Sequence, residues 1–141
     1  MCIRDSGCLT SLETLLAFIQ PTADDLIVTL GDYVDRGPDS RGVIANLLEL
    51  QKSSQLIHLM GNHEIQMIRA LETSHDRDRF LSDLCGGKDT LDSYGGSFDD
   101  IPSEHWDFIK SAQLYHELDD HILVHAGLEA NIELSEQDRE T

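Results

Sequence analysis

Hydrophobic residues fall along this chain in short runs and helical stripes that predict an α/β fold. Leucine and isoleucine recur at helical spacing over residues 9–20, which predicts an amphipathic helix whose apolar stripe packs in the core. The apolar runs 26–30 and 55–60 are short and bounded by polar residues or glycine, which is typical of buried strands. Between them, an apolar stripe that begins after Ser40 predicts a helix with Ser40 as its cap.

Polar side chains follow three of the predicted strands. The order strand, helix, strand predicts a parallel βαβ unit with a right-handed crossover, which brings both strand ends to one edge of the sheet. Asp32 follows the first strand and Asn62 the second. Segments 114–118 and 121–125 predict a hairpin with a two-residue turn, which ends in His125. Because sites in α/β sheets form where strands end, we expect these three side chains to meet.

The remaining segments predict one domain rather than two. Residues 64–71 predict a helix, and residues 72–112 predict a helical insert, since their short apolar groups are interrupted by glycine pairs. The chain, residues 1–141, is therefore interpreted as a single partial domain. Residues 1–6 show no pattern, and we expect them to be a non-native start.

Composition narrows the classes of partner. The 141 residues are 40% hydrophobic, which suffices for one domain with a core, and the formal net charge is −17. Such acidity argues against nucleic acid or an anionic membrane as the main partner. The three cysteines form neither a disulfide framework nor a zinc-binding spacing. No apolar run is long enough to cross a membrane, and no secretory signal is evident, so we expect a cytoplasmic protein.

The three strand ends supply ligands that suit a transition metal. Carboxylate, amide and imidazole groups, here Asp32, Asn62 and His125, together suit manganese, iron or zinc. A bridging aspartate holds two cations about 3.5–4 Å apart, and such a pair activates a shared water for phosphoester hydrolysis. We therefore expect two divalent ions, manganese first, with iron and zinc as alternatives.

Three neighbouring residues suit proton transfer and phosphate binding. His63 directly follows Asn62 and is suited to protonate a leaving alkoxide. Asp35 is suited to hold the His63 imidazolium in place, as the carboxylate of a catalytic triad does. Arg36 offers a planar guanidinium that matches phosphate oxygens. These residues are the candidate catalytic group.

Each residue also has an ordinary structural role open to it. Asn62 alone is typical of a turn, His63 of a helix start, and His125 of a polar residue at a sheet edge. The other histidines show no comparable setting and are expected to be structural or surface residues: His58, His75, His105, His116 and His121.

Three motifs, taken together, resemble a known family. Residues 31–37 (GDYVDRG), 61–64 (GNHE) and 125–128 (HAGL) are similar to the phosphoprotein phosphatases among the calcineurin-like metallophosphoesterases. The resemblance covers residues 7 to 128 and implies a β-sandwich of mixed sheets flanked by helices, incomplete in this chain. It implies that Asp32 bridges two metals, that Asn62 and His125 hold the second one, and that a metal-bridging hydroxide is the nucleophile.

The resemblance also exposes two departures from the family pattern. The family begins with Gly-Asp-x-His-Gly, and counting back from Gly7 places Arg4 and Ser6 where the aspartate and histidine ligands of the first metal belong. Asp5 is one residue out of register with that pattern. The family also continues beyond residue 141 with another metal-binding histidine and another phosphate-binding arginine. We therefore expect a chain truncated at both ends whose own hydrolytic activity is weak or absent.

The resemblance implies hydrolysis of phosphate monoesters, with phosphoserine or phosphothreonine of proteins as the expected substrate. Glu64, which follows His63, favours this serine/threonine protein phosphatase interpretation. A bis(5'-nucleosyl)-tetraphosphatase of the same superfamily is the alternative enzyme. A catalytically incomplete fragment that only binds metal or a phosphorylated partner is the third hypothesis. The expected partners are thus a phosphoprotein or a small phosphoester.

Overall fold

The computed structural model describes residues 6–137, which form six α-helices and four short strands. The strands are β1 (Leu26–Thr29), β2 (Gln55–His58), β3 (Tyr115–Leu118) and β4 (His121–Val124). The helices are α1 (Leu9–Ile19), α2 (Ser40–Ser53), α3 (Asn62–Arg69), α4 (Ser74–Phe80), α5 (Gly87–Tyr94) and α6 (Ser103–Lys110). The order of these elements confirms the predicted α/β class.

A parallel βαβ unit forms the centre of the fold. Strand β1 pairs with β2 in parallel, from Leu26 opposite Gln55 to Thr29 opposite His58, and α2 connects them. The predicted Ser40 cap of α2 is wrong, because Asp39 is the capping residue and its Oδ1 accepts the backbone N–H of Gly42 at 2.7 Å. The Ser40 side chain is instead buried behind the loop that follows β1.

The hairpin is antiparallel, as predicted, and attaches to the end of β2. Strands β3 and β4 pair from Tyr115 opposite Val124 to Leu118 opposite His121, so the two-residue turn has the predicted length. Just before β3, the backbone of Gln113 bonds to His58 at 3.0 Å and to Met60 at 2.7 Å. In residues 6–137 the β-structure thus comprises one parallel and one antiparallel pair of strands.

The hydrophobic core lies between α2 and the helices that follow β2. Helix α2 contributes Val43, Ile44 and Leu47, which are almost fully buried. Residues 72–112 contain α4, α5 and α6, and these helices add further buried side chains, including Phe80 and Ile109. Because each large apolar side chain buried here stabilises the fold by about 1.5–3 kcal/mol, these helices are part of the core. The boundaries of the insert remain a prediction.

Helix α1 departs from the predicted fully buried stripe. Leu9, Leu12 and Leu16 pack against the core, but Leu15 is 54% and Ile19 49% exposed. Successive helix positions are about 100° apart, so only the side of α1 that faces α2 is covered within residues 6–137. Residues 1–5, including Arg4 and Asp5 of the altered first motif, lie outside the described residues, whereas Ser6 is buried. None of the described helices is both long and apolar enough for a membrane span.

Candidate active site

The structure brings the three expected metal ligands together at one edge of the parallel sheet. The Oδ1 atom of Asp32 lies 3.4 Å from Nε2 of His125, and this Nε2 lies 3.2 Å from Oδ1 of Asn62. The backbone N–H of His63 donates to the same Asp32 oxygen at 3.3 Å. Side chains separated by as many as 93 positions in the sequence therefore surround one small volume.

The orientation of His125 leaves a lone pair aimed at the other two side chains. Its Nδ1–H donates to the backbone carbonyl of Leu30 at 2.6 Å, which in the neutral ring leaves Nε2 without a hydrogen. Nε2, the Asp32 carboxylate oxygen and the Asn62 amide oxygen then face one another as three acceptors. A cation between them would replace this unfavourable arrangement with coordination, so the residues fit a divalent metal.

The described residues supply ligands for one cation rather than two. Within residues 6–137, no group of three or more His, Cys, Asp and Glu side chains is arranged to hold a metal ion. Asp32 and His125 form a pair of such residues, and Asn62 completes the set with an amide oxygen. By the family resemblance, the positions expected for the first metal's ligands are Arg4, which lies outside the described residues, and Ser6.

A buried ion pair lies next to this volume. Nδ1 of His63 and Oδ2 of Asp35 are 2.6 Å apart, and both side chains are almost fully buried. The hydrogen bond to Asp35 is the main cause that raises the pKa of His63, and burial partly opposes it. A raised pKa favours the imidazolium, which is the form that donates a proton. Because Nδ1 is engaged with Asp35, Nε2 is the nitrogen left to face a substrate.

Thr90 on α5 positions Asp35 and was not expected from the sequence. Its hydroxyl donates to Oδ1 of Asp35 at 2.6 Å and accepts the Asp35 backbone N–H at 2.8 Å. Ser40 accepts the same N–H at 3.2 Å. Asp35 thus has partners for both carboxylate oxygens and its backbone. No local pattern could have revealed Thr90, since it lies 55 residues further along the chain.

Glu64 organises the loop after β1, and its side chain is completely buried. Its Oε2 accepts the backbone N–H groups of Asp32 at 2.8 Å and Gly61 at 2.9 Å, and its Oε1 accepts that of Tyr33 at 2.7 Å. Burial raises the pKa of Glu64, while these donors favour the charged form. The available sequence signal was an acid three residues after Gly61 at a helix start, half of a capping box.

The loop adopts backbone angles that side chains rarely adopt. Asp32, Asp35 and Arg36 have φ values of 60°, 75° and 61°, and Gly31 has 95°. A left-handed conformation costs a non-glycine residue roughly 1–2 kcal/mol, so the contacts of Glu64 and Thr90 must hold the loop in place. Gly31 is required for space as well, because a Cβ atom there would lie 2.6 Å from the backbone nitrogen of Gly61.

Two further contacts fix the ends of this loop. The buried hydroxyl of Tyr33 donates to the carbonyl of Leu59 at 2.8 Å and accepts the N–H of Gly31 at 3.1 Å, and burial raises its pKa. The backbone N–H of Arg36 donates to the carbonyl of Gly86 at 3.3 Å. The Arg36 side chain is exposed, and its charge lies near enough to oppose protonation of His63. That position suits a phosphate-binding guanidinium.

The remaining histidines lie away from this cluster. His58 is buried with Nε2 2.9 Å from the carbonyl of Phe108, and the Tyr94 hydroxyl lies 2.8 Å from Nδ1 of His105. His75 and His121 are exposed. His58 and His105 therefore have structural roles, in keeping with the sequence analysis.

Comparison with known proteins identifies similar sequences along most of the chain. The sequence model of the calcineurin-like phosphoesterase family matches residues 5–139. A symmetrical bis(5'-nucleosyl)-tetraphosphatase of Nitrosomonas europaea is 31% identical over 126 residues, which are 89% of this chain and 42% of that protein. One of Acidovorax sp. (strain JS42) is 42% identical over 72 residues, which are 49% of this chain and 25% of that protein.

A solved structure has the same fold. A crystal structure described provisionally as that of a diadenosine tetraphosphatase superposes with a TM-score of 0.68 at 23% identity, over 95% of this chain and 52% of that one. The chain spans about two fifths of the length of the curated relatives that match most of it. These relatives carry the name of the alternative enzyme hypothesis rather than that of the protein phosphatases.

Proposed function

Because this chain belongs to the calcineurin-like phosphoesterase family, we propose that the whole protein is a metal-dependent hydrolase of dinucleoside tetraphosphates. The main support for hydrolysis is structural: the side chains of Asp32, Asn62 and His125 lie close together, next to the buried pair of His63 and Asp35. The names of the relatives support the substrate class.

Each side chain of the cluster has a role in the proposed reaction. Asp32, Asn62 and His125 would hold a divalent ion, with manganese expected first, and the expected second ion would need ligands beyond those that residues 6–137 supply. When bound, such ions lower the pKa of coordinated water and offset the charge of the phosphate. Arg36 binds a phosphate oxygen, and His63 gives a proton from Nε2 to the leaving oxygen while Asp35 stabilises the imidazolium.

The protein phosphatase hypothesis has weaker support. Its sequence argument was Glu64, but the three backbone N–H groups that Glu64 accepts explain this residue as part of the loop. The names of the relatives do not point to a phosphoprotein substrate. A small phosphoester is therefore the favoured partner.

Metal binding by the chain tests the site. Isothermal titration of Mn²⁺ is expected to show that Asp32→Asn lowers the affinity at least tenfold, because an anionic ligand is replaced by a neutral one. Asp24→Asn removes the same charge at an exposed position away from the cluster and is the matched control. If Asp32→Asn binds Mn²⁺ as tightly as the wild type, the metal assignment is wrong.

A comparison of substrates tests the function. With the protein at its full genomic length and Mn²⁺ present, kcat/KM for diadenosine tetraphosphate is expected to exceed that for a phosphoserine peptide. Both activities are expected to fall at least a hundredfold in Asp32→Asn. A preference for the phosphopeptide would restore the protein phosphatase hypothesis and reject the one proposed here.

A further inference from the structure

A cavity of about 210 Å³ opens between α3 and α4, beside the candidate metal ligand Asn62. Asn62, Gln66 and Arg69 line it, and they lie on one face of α3 because residues three and four positions apart are neighbours on a helix. These residues run from the start of α3 to its end, about 10 Å along the axis at 1.5 Å per residue. A single phosphate cannot span that length, but a chain of phosphoryl groups can.

The charges around the cavity suit an anion. Arg69 and Arg79 both line it, although the chain has only 10 lysines and arginines against 27 aspartates and glutamates. Among residues 6–137, Asp76 is the acidic residue of the lining, and its Oδ2 accepts the Thr73 hydroxyl at 2.6 Å. Two guanidinium groups thus line a cavity of a protein whose formal net charge is −17, and guanidinium groups match the geometry of phosphate oxygens.

The neighbouring side chains agree with this interpretation. Gln66 accepts the thiol of Cys85 on its Oε1 at 2.8 Å, which leaves its amide N–H groups to donate into the cavity. Arg77, on the same helix as Arg79, is not part of the lining. Its Nε donates to the carbonyl of Ala70 at 3.2 Å, and its guanidinium lies over the ring of Phe98. The two arginines of α4 therefore have different roles.

We propose that this cavity binds the phosphoryl groups of the substrate that lie beyond the one being cleaved. The inference rests on the proposed function, since Asn62 belongs both to the candidate metal site and to the cavity. The inference also requires that the substrate has more than one phosphoryl group. A dinucleoside polyphosphate carries further phosphoryl groups for Arg69 and Arg79, whereas a phosphoserine side chain carries none.

Binding of inorganic tripolyphosphate to the metal-free chain tests the cavity directly. In EDTA, titration calorimetry is expected to show that Arg79→Gln weakens binding about tenfold, the size expected for loss of one charge-assisted contact. Arg79→Lys keeps the positive charge but cannot form two parallel hydrogen bonds. Its affinity for tripolyphosphate should therefore lie between those of the wild type and Arg79→Gln. Arg79 is exposed, so these variants are expected to fold.

Lys52→Gln removes one positive charge from an exposed site at the end of α2 and serves as the control. The proposal is overturned if Arg79→Gln binds tripolyphosphate as tightly as the wild type. It is equally overturned if Lys52→Gln loses as much affinity, since the effect would then be one of overall charge.

Measurements of hydrolysis test the cavity and the proposed enzymatic function independently. In the protein at full genomic length, Arg79→Gln should lower the ratio of kcat/KM for diadenosine tetraphosphate to that for para-nitrophenyl phosphate about tenfold. Arg79-dependent binding of tripolyphosphate without hydrolysis of either substrate would support the cavity and reject the enzyme. Hydrolysis of the dinucleotide with an unchanged ratio would support the enzyme and reject the cavity.

Discussion

At the scale of single residues, the candidate site depends on buried side chains that bind the backbone. Glu64 accepts three N–H groups from two separate strand ends, and Thr90 bonds to both the carboxylate and the backbone of Asp35. These bonds help to hold Asp32 and Asp35 at their left-handed angles. The residues proposed for chemistry are thus held by neighbours to which no chemical role is assigned.

Substitution of Glu64 tests this dependence. In Glu64→Gln an N–H₂ group takes the place of one carboxylate oxygen, so either the N–H of Tyr33 or those of Asp32 and Gly61 lose their acceptor. We expect the free energy of unfolding to fall by about 1–3 kcal/mol in urea titrations and the amide of Tyr33 or Gly61 to exchange faster with solvent. Glu72→Gln, at an exposed position, is the control. Equal stability of the two variants would contradict the role given to Glu64.

At the scale of elements, His58 connects β2 to α6. Its ring stacks on Phe108 with centroids 4.0 Å apart, and its Nε2 is 2.9 Å from the Phe108 carbonyl. Burial lowers the pKa of His58 below its ordinary value of 6.5. The unfolded chain therefore takes up a proton more readily than the folded one, so stability from this residue is lost as the pH falls below about 6.5.

The pH dependence of unfolding tests this connection. Between pH 7.5 and 5.5, His58→Gln should reduce the decline in the free energy of unfolding relative to the wild type, since glutamine keeps an N–H donor but does not titrate. One histidine contributes at most about 1.4 kcal/mol per pH unit to that slope. His75→Gln, which alters an exposed histidine, is the matched control. An identical slope in His58→Gln and wild type would show that this buried ring does not control the dependence.

At the scale of the whole molecule, the described surface contains an uncovered apolar region. Phe18, Leu15 and Ile19 on α1 are 86%, 54% and 49% exposed. Within residues 6–137, β1 pairs only with β2, which leaves the outer edge of β1 without a neighbouring strand. Exposed apolar surface and unpaired strand edges both favour association.

We therefore expect the 141-residue chain to self-associate at high concentration. Phe18→Glu should lower the average mass measured by light scattering, because a charge on each copy opposes contact between these surfaces. Leu84→Glu places the same charge at a residue that is 87% exposed but lies outside α1, and it should have a smaller effect. A monodisperse wild-type monomer at high concentration would rule out this expectation.

Local patterns anticipated much of the fold but not how its elements are covered. The parallel pairing of β1 and β2 and the length of the hairpin turn follow from short apolar runs and the residues between them. The fully buried stripe predicted for α1 was wrong at Leu15 and Ile19, because periodicity gives the direction of a face and not what packs on it. The cap of α2 was placed one residue late for a similar reason, since Asp39 and Ser40 are both good caps and tertiary contacts recruit Ser40 elsewhere.

The sequence by itself determined which chemical groups follow each strand: Asp32, Asn62 and His125, whose oxygen and nitrogen atoms suit a metal ion, and His63 beside them. A strand places the residue after it at the sheet edge, so this information is local. Only the tertiary structure decided that Glu64 and Thr90 hold the loop, and that a cavity with two arginines adjoins Asn62. Those arrangements depend on contacts between residues far apart in the chain, which burial and packing select and local pattern does not encode.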